Sequence, residues 1–182
     1  QEQRKLTVNS KRLATSCLGL GWLPVAPGTW GSLAPMVIFA AAAALGLSGA
    51  AMLVLLLVLA ALASAICVAF GPESIKATGN ADPSEVVADE VAGQAVTYLP
   101  LAFAAIENIC TTAIAGFILF RVFDIVKPWP IRRLEKLPAG WGVLMDDILA
   151  GVFAAVVLAV LFFTGVTGYM AEACSPPGSM SL

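Results

Sequence analysis

Histidine is absent from the 182 residues. With it go imidazole nucleophiles, Ser-His-Asp triads, histidine general bases and every histidine-containing metal site. Any chemistry falls to carboxylates, lysine, arginine, hydroxyls or thiols. The four cysteines, Cys17, Cys67, Cys110 and Cys174, show no C-x-x-C spacing, and none is followed by an arginine six positions on, so a cysteine-phosphatase loop is missing. The first three sit in apolar sequence and are expected to be buried thiols. Charge is scarce too, at 12% of residues against roughly 25% in a soluble domain. Ten Lys and Arg against twelve Asp and Glu give a net charge of −2, which leaves no basic surface for nucleic acid. No heptad, internal repeat or low-complexity tract stands out, and the Ala40–Ala44 run is filler that permits close helix packing.

Apolar residues are abundant instead, at 59% of the chain with a mean hydropathy of +0.90. From Leu13 to Pro72 there is no charged residue. The apolar stretch from Ala34 to Phe70 is too long for one crossing of a ~30 Å hydrocarbon core at ~1.5 Å per residue. Gly46-Leu47-Ser48-Gly49 is its natural break, which predicts a helical hairpin of about Leu33–Leu45 and Ala50–Phe70. Val91 to Phe120, interrupted by Pro100 and by Glu107-Asn108, is expected to enter and return in the same way. Ile148 to Ala171 is long enough to cross alone. The expected fold is an all-α integral membrane protein: a single domain over residues 1–182, a compact multi-helix bundle with short or re-entrant hairpins. Residues 1–12 form a polar cytoplasmic N-terminus and 172–182 a polar tail.

Three polar stretches remain: Gly21–Ser32, Glu73–Glu90 and Arg121–Asp147. The N-terminus carries Arg4, Lys5, Lys11 and Arg12, and the third stretch carries Arg121, Lys127, Arg132, Arg133 and Lys136, so the positive-inside rule places both in the cytoplasm. Every acidic residue except Glu2 lies after Pro72, and Asp89-Glu90, Asp124 and Asp146-Asp147 stand where apolar spans begin or end. Carboxylates at a membrane boundary cost free energy unless paired or bound to a cation. Asp89-Glu90 and Asp146-Asp147 are expected in the first turns of their helices, where the dipole favours them. Five oxygen ligands without histidine fit a hard cation such as Mg²⁺, whose coordination is commonly completed by phosphate oxygens. Arg121 and Lys127, three residues either side of Asp124, supply cations for such a phosphate. Ile131–Leu137 is expected to form a basic surface helix near lipid headgroups. Gly21–Ser32 reads as a turn-rich loop whose backbone and hydroxyls, Thr29 and Ser32, can donate to phosphate. One shared metal requires the middle and third stretches to lie on one side of the membrane. The same acids also suit a cation transporter or channel, although their place at one face rather than at mid-span argues against an ion path.

A-P-G-T-W-G-S at 26–32, D-P-S-E-V-V-A-D-E-V-A-G at 82–93, F-R-V-F-D-I-V-K-P-W-P-I at 120–131 and G-V-L-M-D-D-I-L-A-G at 142–151 resemble the four motif blocks of the phosphatidylglycerophosphatase A family, in the family's order. The resemblance implies a Mg²⁺-dependent lipid phosphatase of the bacterial inner membrane. Its substrate would be phosphatidylglycerophosphate and its products phosphatidylglycerol and phosphate, with the site on the cytoplasmic face. Carried over by motif, Asp82, Asp89, Glu90, Asp124, Asp146 and Asp147 are the metal-side acids, the last five also catalytic, and Thr29, Ser32, Arg121 and Lys127 are the phosphate-side partners.

Overall fold

The computed structural model describes residues 10–80, 83–134 and 140–167, and every regular element among them is helical. Seven α-helices follow one another: α1 (Ser10–Thr15), α2 (Pro27–Ala44), α3 (Gly49–Thr78), α4 (Ala88–Tyr98), α5 (Ile109–Val126), α6 (Ile131–Leu134) and α7 (Gly140–Phe163). Short 3-10 turns at Leu20–Trp22 and Leu99–Leu101 precede α2 and extend α4. Four helices, α2, α3, α5 and α7 from Trp141, are long and apolar enough to cross a membrane.

The first hairpin turns at the expected glycines. Ser48 caps α3 by accepting the Ala51 N–H at 3.3 Å, and Gly79, at φ 76°, ends the helix in the left-handed conformation. Both arms exceed the expected bounds. α2 begins at Pro27 because proline is already set for the first helical position, so Gly28 to Ser32 form helix rather than loop. α3 continues past Phe70 and through Pro72 to Thr78. Its buried residues, Met52, Leu56, Ala60, Ala63, Cys67, Gly71 and Ser74, repeat at three- and four-residue intervals, the stripe that faces a helical neighbour.

The second apolar stretch enters as α4 and its 3-10 extension, turns through residues 102–108, and returns as α5, as the count of crossings requires. α4 is the central helix, packed against α2, α3, α5 and α7, and its residues are buried almost without exception. Its lower end is anchored by Tyr98, whose ring stacks on Phe39 of α2 with centroids 4.1 Å apart. The Tyr98 hydroxyl donates to Ala113 O of α5 at 2.6 Å. The crossing with α7 is set by two glycines. A Cβ on Gly151 would strike Gly93 O, and a Cβ on Gly93 would strike Asp147 O and, at 2.6 Å, Phe120. Backbones that approach this closely are the mark of small-residue helix packing in membranes.

Three expectations change at the ends of elements. Asp146 and Asp147 stand almost two turns inside α7, beyond its first turn. α6 is described only over Ile131–Leu134, and Ile131 is fully buried, so this turn is anchored to the bundle rather than lying free on its surface. Cys67 is buried and Cys17 half-buried as free thiols, but Cys110 is exposed, because it sits on the outward side of α5. Cys174, Lys136 and residues 172–182 lie outside the described residues.

Gly93→Ala is expected to destabilise the protein by about 1–3 kcal/mol, the scale of overpacking. In detergent, thermal unfolding should begin several degrees lower, while an alanine at Gly46, where φ is 68° but no atom lies within 4 Å, should shift the midpoint less.

Candidate active site

The helix directions collect the acids at one end of the bundle. α2 and α7 start there, α3 and α5 finish there, and α4 starts there with Asp89 and Glu90 in its first turn. Asp89, Glu90 and Asp147 offer carboxylate oxygens that all lie within 4.8 Å of one another. Asp89 and Asp147 are 3% and 4% exposed, and the Glu90 Oε2 atom is buried without a hydrogen-bond partner. Asp89 Oδ1 accepts the Glu90 backbone N–H at 3.1 Å. At 4.8 Å and an effective dielectric near 20, each pair of ionised carboxylates repels by roughly 3–4 kcal/mol. A buried trio of this kind is stable only with protons or a cation between its members. Three hard oxygen donors and an orphaned carboxylate oxygen fit a divalent cation of the Mg²⁺ type, and the cluster can hold a metal ion.

The other two expected acids, Asp124 and Asp146, each form an ion pair with a neighbouring cation. Arg121 Nη1 contacts Asp124 Oδ2 at 2.7 Å, one turn along α5, and also donates to Ser32 Oγ of α2 at 3.4 Å. A Cβ on Gly28 would come near both Arg121 Nη1 and Glu90 Oε1, which places the arginine beside the acidic trio. Lys127 Nζ donates to Asp146 Oδ2 at 2.5 Å. The lysine closes α5 in the left-handed conformation, φ 44° and ψ 64°, uncommon for a residue with a side chain, and Pro128 after it disfavours continued helix. Ser32 Oγ donates to Gly28 O at 2.8 Å inside α2. Thr29 is half-buried on the first turn of α2, and among the described residues it makes no side-chain hydrogen bond to the acids. Asp82 lies outside the described residues.

Several residues were not singled out by sequence. Gly28 faces Glu90: a Cβ there would strike Glu90 Oε1 and come within 3.2 Å of Arg121 Nη1, so the absent side chain is the space in which acid and guanidinium meet. Its signal was the glycine of A-P-G-T-W-G-S, hidden once that stretch was read as a loop. Arg12 of α1 grips Glu85 with Nε at 2.9 Å and Nη2 at 2.5 Å. Burial pushes the Glu85 carboxyl up, but hydrogen bonds from Arg12, Ser74 and Trp22 outweigh it and hold the group below the usual carboxylate range. The Val87 N–H donates to Thr15 O at 3.0 Å. These contacts strap α1 to the loop that delivers Asp89 and Glu90. No local pattern in sequence pairs positions 12 and 85.

All four tryptophans, Trp22, Trp30, Trp129 and Trp141, lie at this end and are between 40% and 74% exposed. Such a belt marks a membrane–water interface. An all-helical bundle with four apolar crossings and a buried carboxylate centre, flanked by arginine and lysine at the interface, has the build of an integral-membrane phosphatase. The chain belongs to the phosphatidylglycerophosphatase A family, whose model matches residues 13–162. It is 35% identical over 157 residues to a Haemophilus influenzae protein named phosphatidylglycerophosphatase A, covering 83% of this chain and 88% of the relative. The Escherichia coli protein of the same name is 33% identical over 150 residues, 81% of this chain and 78% of the relative. A Bacteroides thetaiotaomicron protein named "Putative phosphatidylinositol-3-phosphatase" is 38% identical over 148 residues, 78% of this chain and 87% of its own length. No solved structure matches the chain.

Gly28→Ala is expected to displace Glu90 and Arg121 together. Phosphatase activity should fall about 10–100-fold, the range for disturbing groups that orient metal ligands, with helix content by circular dichroism unchanged. Near-parental turnover would show that the contact is dispensable.

Proposed function

We propose that this protein hydrolyses the terminal phosphomonoester of phosphatidylglycerophosphate to phosphatidylglycerol and phosphate. The reaction depends on Mg²⁺ and takes place at the cytoplasmic face of a bacterial inner membrane. The observation that carries the reading is the buried trio Asp89, Glu90 and Asp147 with Arg121 and Lys127 fixed beside it at the level of the tryptophan belt. Lipid phosphates reside at that depth. The names of the H. influenzae and E. coli relatives support the substrate.

In this reading Asp89, Glu90 and Asp147 hold the metal. A bound Mg²⁺ supplies charge neutralisation for phosphate oxygens and acidifies water. Asp124 and Asp146 each present a cation: they fix Arg121 and Lys127 so that remaining N–H groups donate to the phosphate as charge-assisted bonds. The phosphorus–oxygen bond to glycerol breaks with its electron pair moving to the glycerol oxygen, which takes up a proton, while the oxygen of water ends on phosphorus. Burial of Asp89 and Asp147 keeps bulk water from them and strengthens these electrostatic contacts.

The test is phosphate release by protein purified in detergent, from phosphatidylglycerophosphate and from phosphatidylinositol 3-phosphate, with and without Mg²⁺. Release from the first substrate should stop on chelation and resume with Mg²⁺. Asp89→Asn, Glu90→Gln and Asp147→Asn should each lose about 100-fold or more. Preferred turnover of the inositide would overturn the substrate, and turnover indifferent to chelation would overturn the metal.

Arg121→Ala and Lys127→Ala should raise KM for the lipid more than they raise the Mg²⁺ requirement. An equal loss of Mg²⁺ affinity would instead make the two cations supports of the metal site. For the membrane side, a cysteine at Ser84 in a Cys-free background should react with impermeant reagent only after cells are permeabilised, and one at Leu47 should react in intact cells. Labelling at Ser84 from outside would reverse the orientation.

A further inference from the structure

Gln94 occupies α4 one turn beyond Glu90, so the two side chains share a face of the helix. It is fully buried, and among the described residues neither its Nε2 nor its Oε1 makes a hydrogen bond of good geometry, the Tyr98 hydroxyl being a polar group near it; Glu90 Oε2 is likewise buried and unmatched. Elsewhere on the helix interior the polar groups are matched. Thr97 Oγ1 donates to Gly93 O at 3.1 Å, and Tyr98 OH donates to Ala113 O. An unmatched buried amide destabilises a fold, and an apolar group of the same shape in its place is neutral or better. Leucine would therefore fill position 94 at less cost, and the carboxamide calls for a use.

Glu90 Oε2 and one atom of the Gln94 carboxamide, on one helix face, are what a single buried water, with its two to four hydrogen bonds, bridges. We propose that Gln94 is a positioning residue of the acidic centre: its carboxamide holds a buried water that donates to Glu90 Oε2 and keeps that carboxylate turned toward Asp89 and Asp147. The water's second hydrogen goes to Gln94 Oε1, or its oxygen accepts from Nε2. The inference rests on reading the three carboxylates as a cation site, because its benefit is a carboxylate already oriented before the cation arrives. Groups that orient metal ligands in this way contribute 10–100-fold to affinity.

Binding of Mn²⁺ to the detergent-purified protein without substrate, followed by electron paramagnetic resonance, tests this beside thermal unfolding. Gln94→Leu should melt at or above the parent and bind Mn²⁺ about 10–100-fold more weakly. Gln94→Met serves as the second dry variant should the branched leucine fail to pack. Gln94→Ala, which leaves room for additional water, should melt lower yet lose less affinity than leucine. A residue that only fills space gives the opposite order, with alanine the worse variant in both measurements. Mn²⁺ affinity in Gln94→Leu within two-fold of the parent, alongside loss of binding in Asp89→Asn, overturns the proposal and leaves the cation site standing. A parent that binds no Mn²⁺ overturns both.

Discussion

The rest of the site depends on the contact between two backbones, α4 at Gly93 and α7 at Gly151. Where either residue carries a side chain the helices must part, because the atoms it would meet are peptide carbonyls that cannot rotate away. Short carboxylates reach only a few ångströms, so Asp147 can approach Asp89 and Glu90 only if the helices that bear them nearly touch. In water the hydrophobic effect would press the helices together. In lipid that force is weak, and close packing of small residues replaces it. The glycines are thus a condition of the chemistry as well as of the packing.

The same proximity creates the problem that the cations around the trio address. Five carboxylates within one polar end would repel strongly in a low dielectric. Two are neutralised inside the protein, Asp124 by Arg121 and Asp146 by Lys127, and the other three, Asp89, Glu90 and Asp147, crowd one neighbourhood with the Arg121 guanidinium near Glu90. Adjacent residues with the same side chain, Asp146 and Asp147, take different parts because successive positions on a helix point about 100° apart. One faces the end of α5 and the other faces α4.

Much of this was legible in the sequence. Hydropathy and the Gly46-Leu47-Ser48-Gly49 break gave both arms of the first hairpin, and the need for acids to share one side required the return near Glu107-Asn108. That Asp89, Glu90, Asp124, Asp146 and Asp147 gather at one end of the bundle followed from their place at the boundaries of apolar runs. The start of α2 was hidden because glycine, threonine and serine are turn formers by local preference; packing of Gly28 against Glu90 and Arg121, of Gly31 against Val87 and of Ser32 against Arg121 makes helix the better state there. Which acids cluster together and which pair with a basic side chain depends on helix rotation, which spacing leaves open over a chain broken by Pro128 and Pro130. Arg12 and Glu85, separated by a hairpin, meet only in three dimensions.

α4 carries a consequence for how the chain is made. It is buried but, at 11 residues, too short to rank among the crossings, and its first turn and interior bring two acids, a glutamine and a threonine into the bundle. Insertion machinery that sorts segments by hydrophobicity gives such a helix little reason to leave water. Its partners on one side, α2 and α3, are already present when it is synthesised, but α5 and the glycine groove of α7 come later. Its final seat therefore awaits the emergence of α7, which also brings Asp147. Up to that moment a nascent chain has neither a finished bundle nor a complete acidic centre, so hydrolytic competence and completion of membrane assembly arrive in one step.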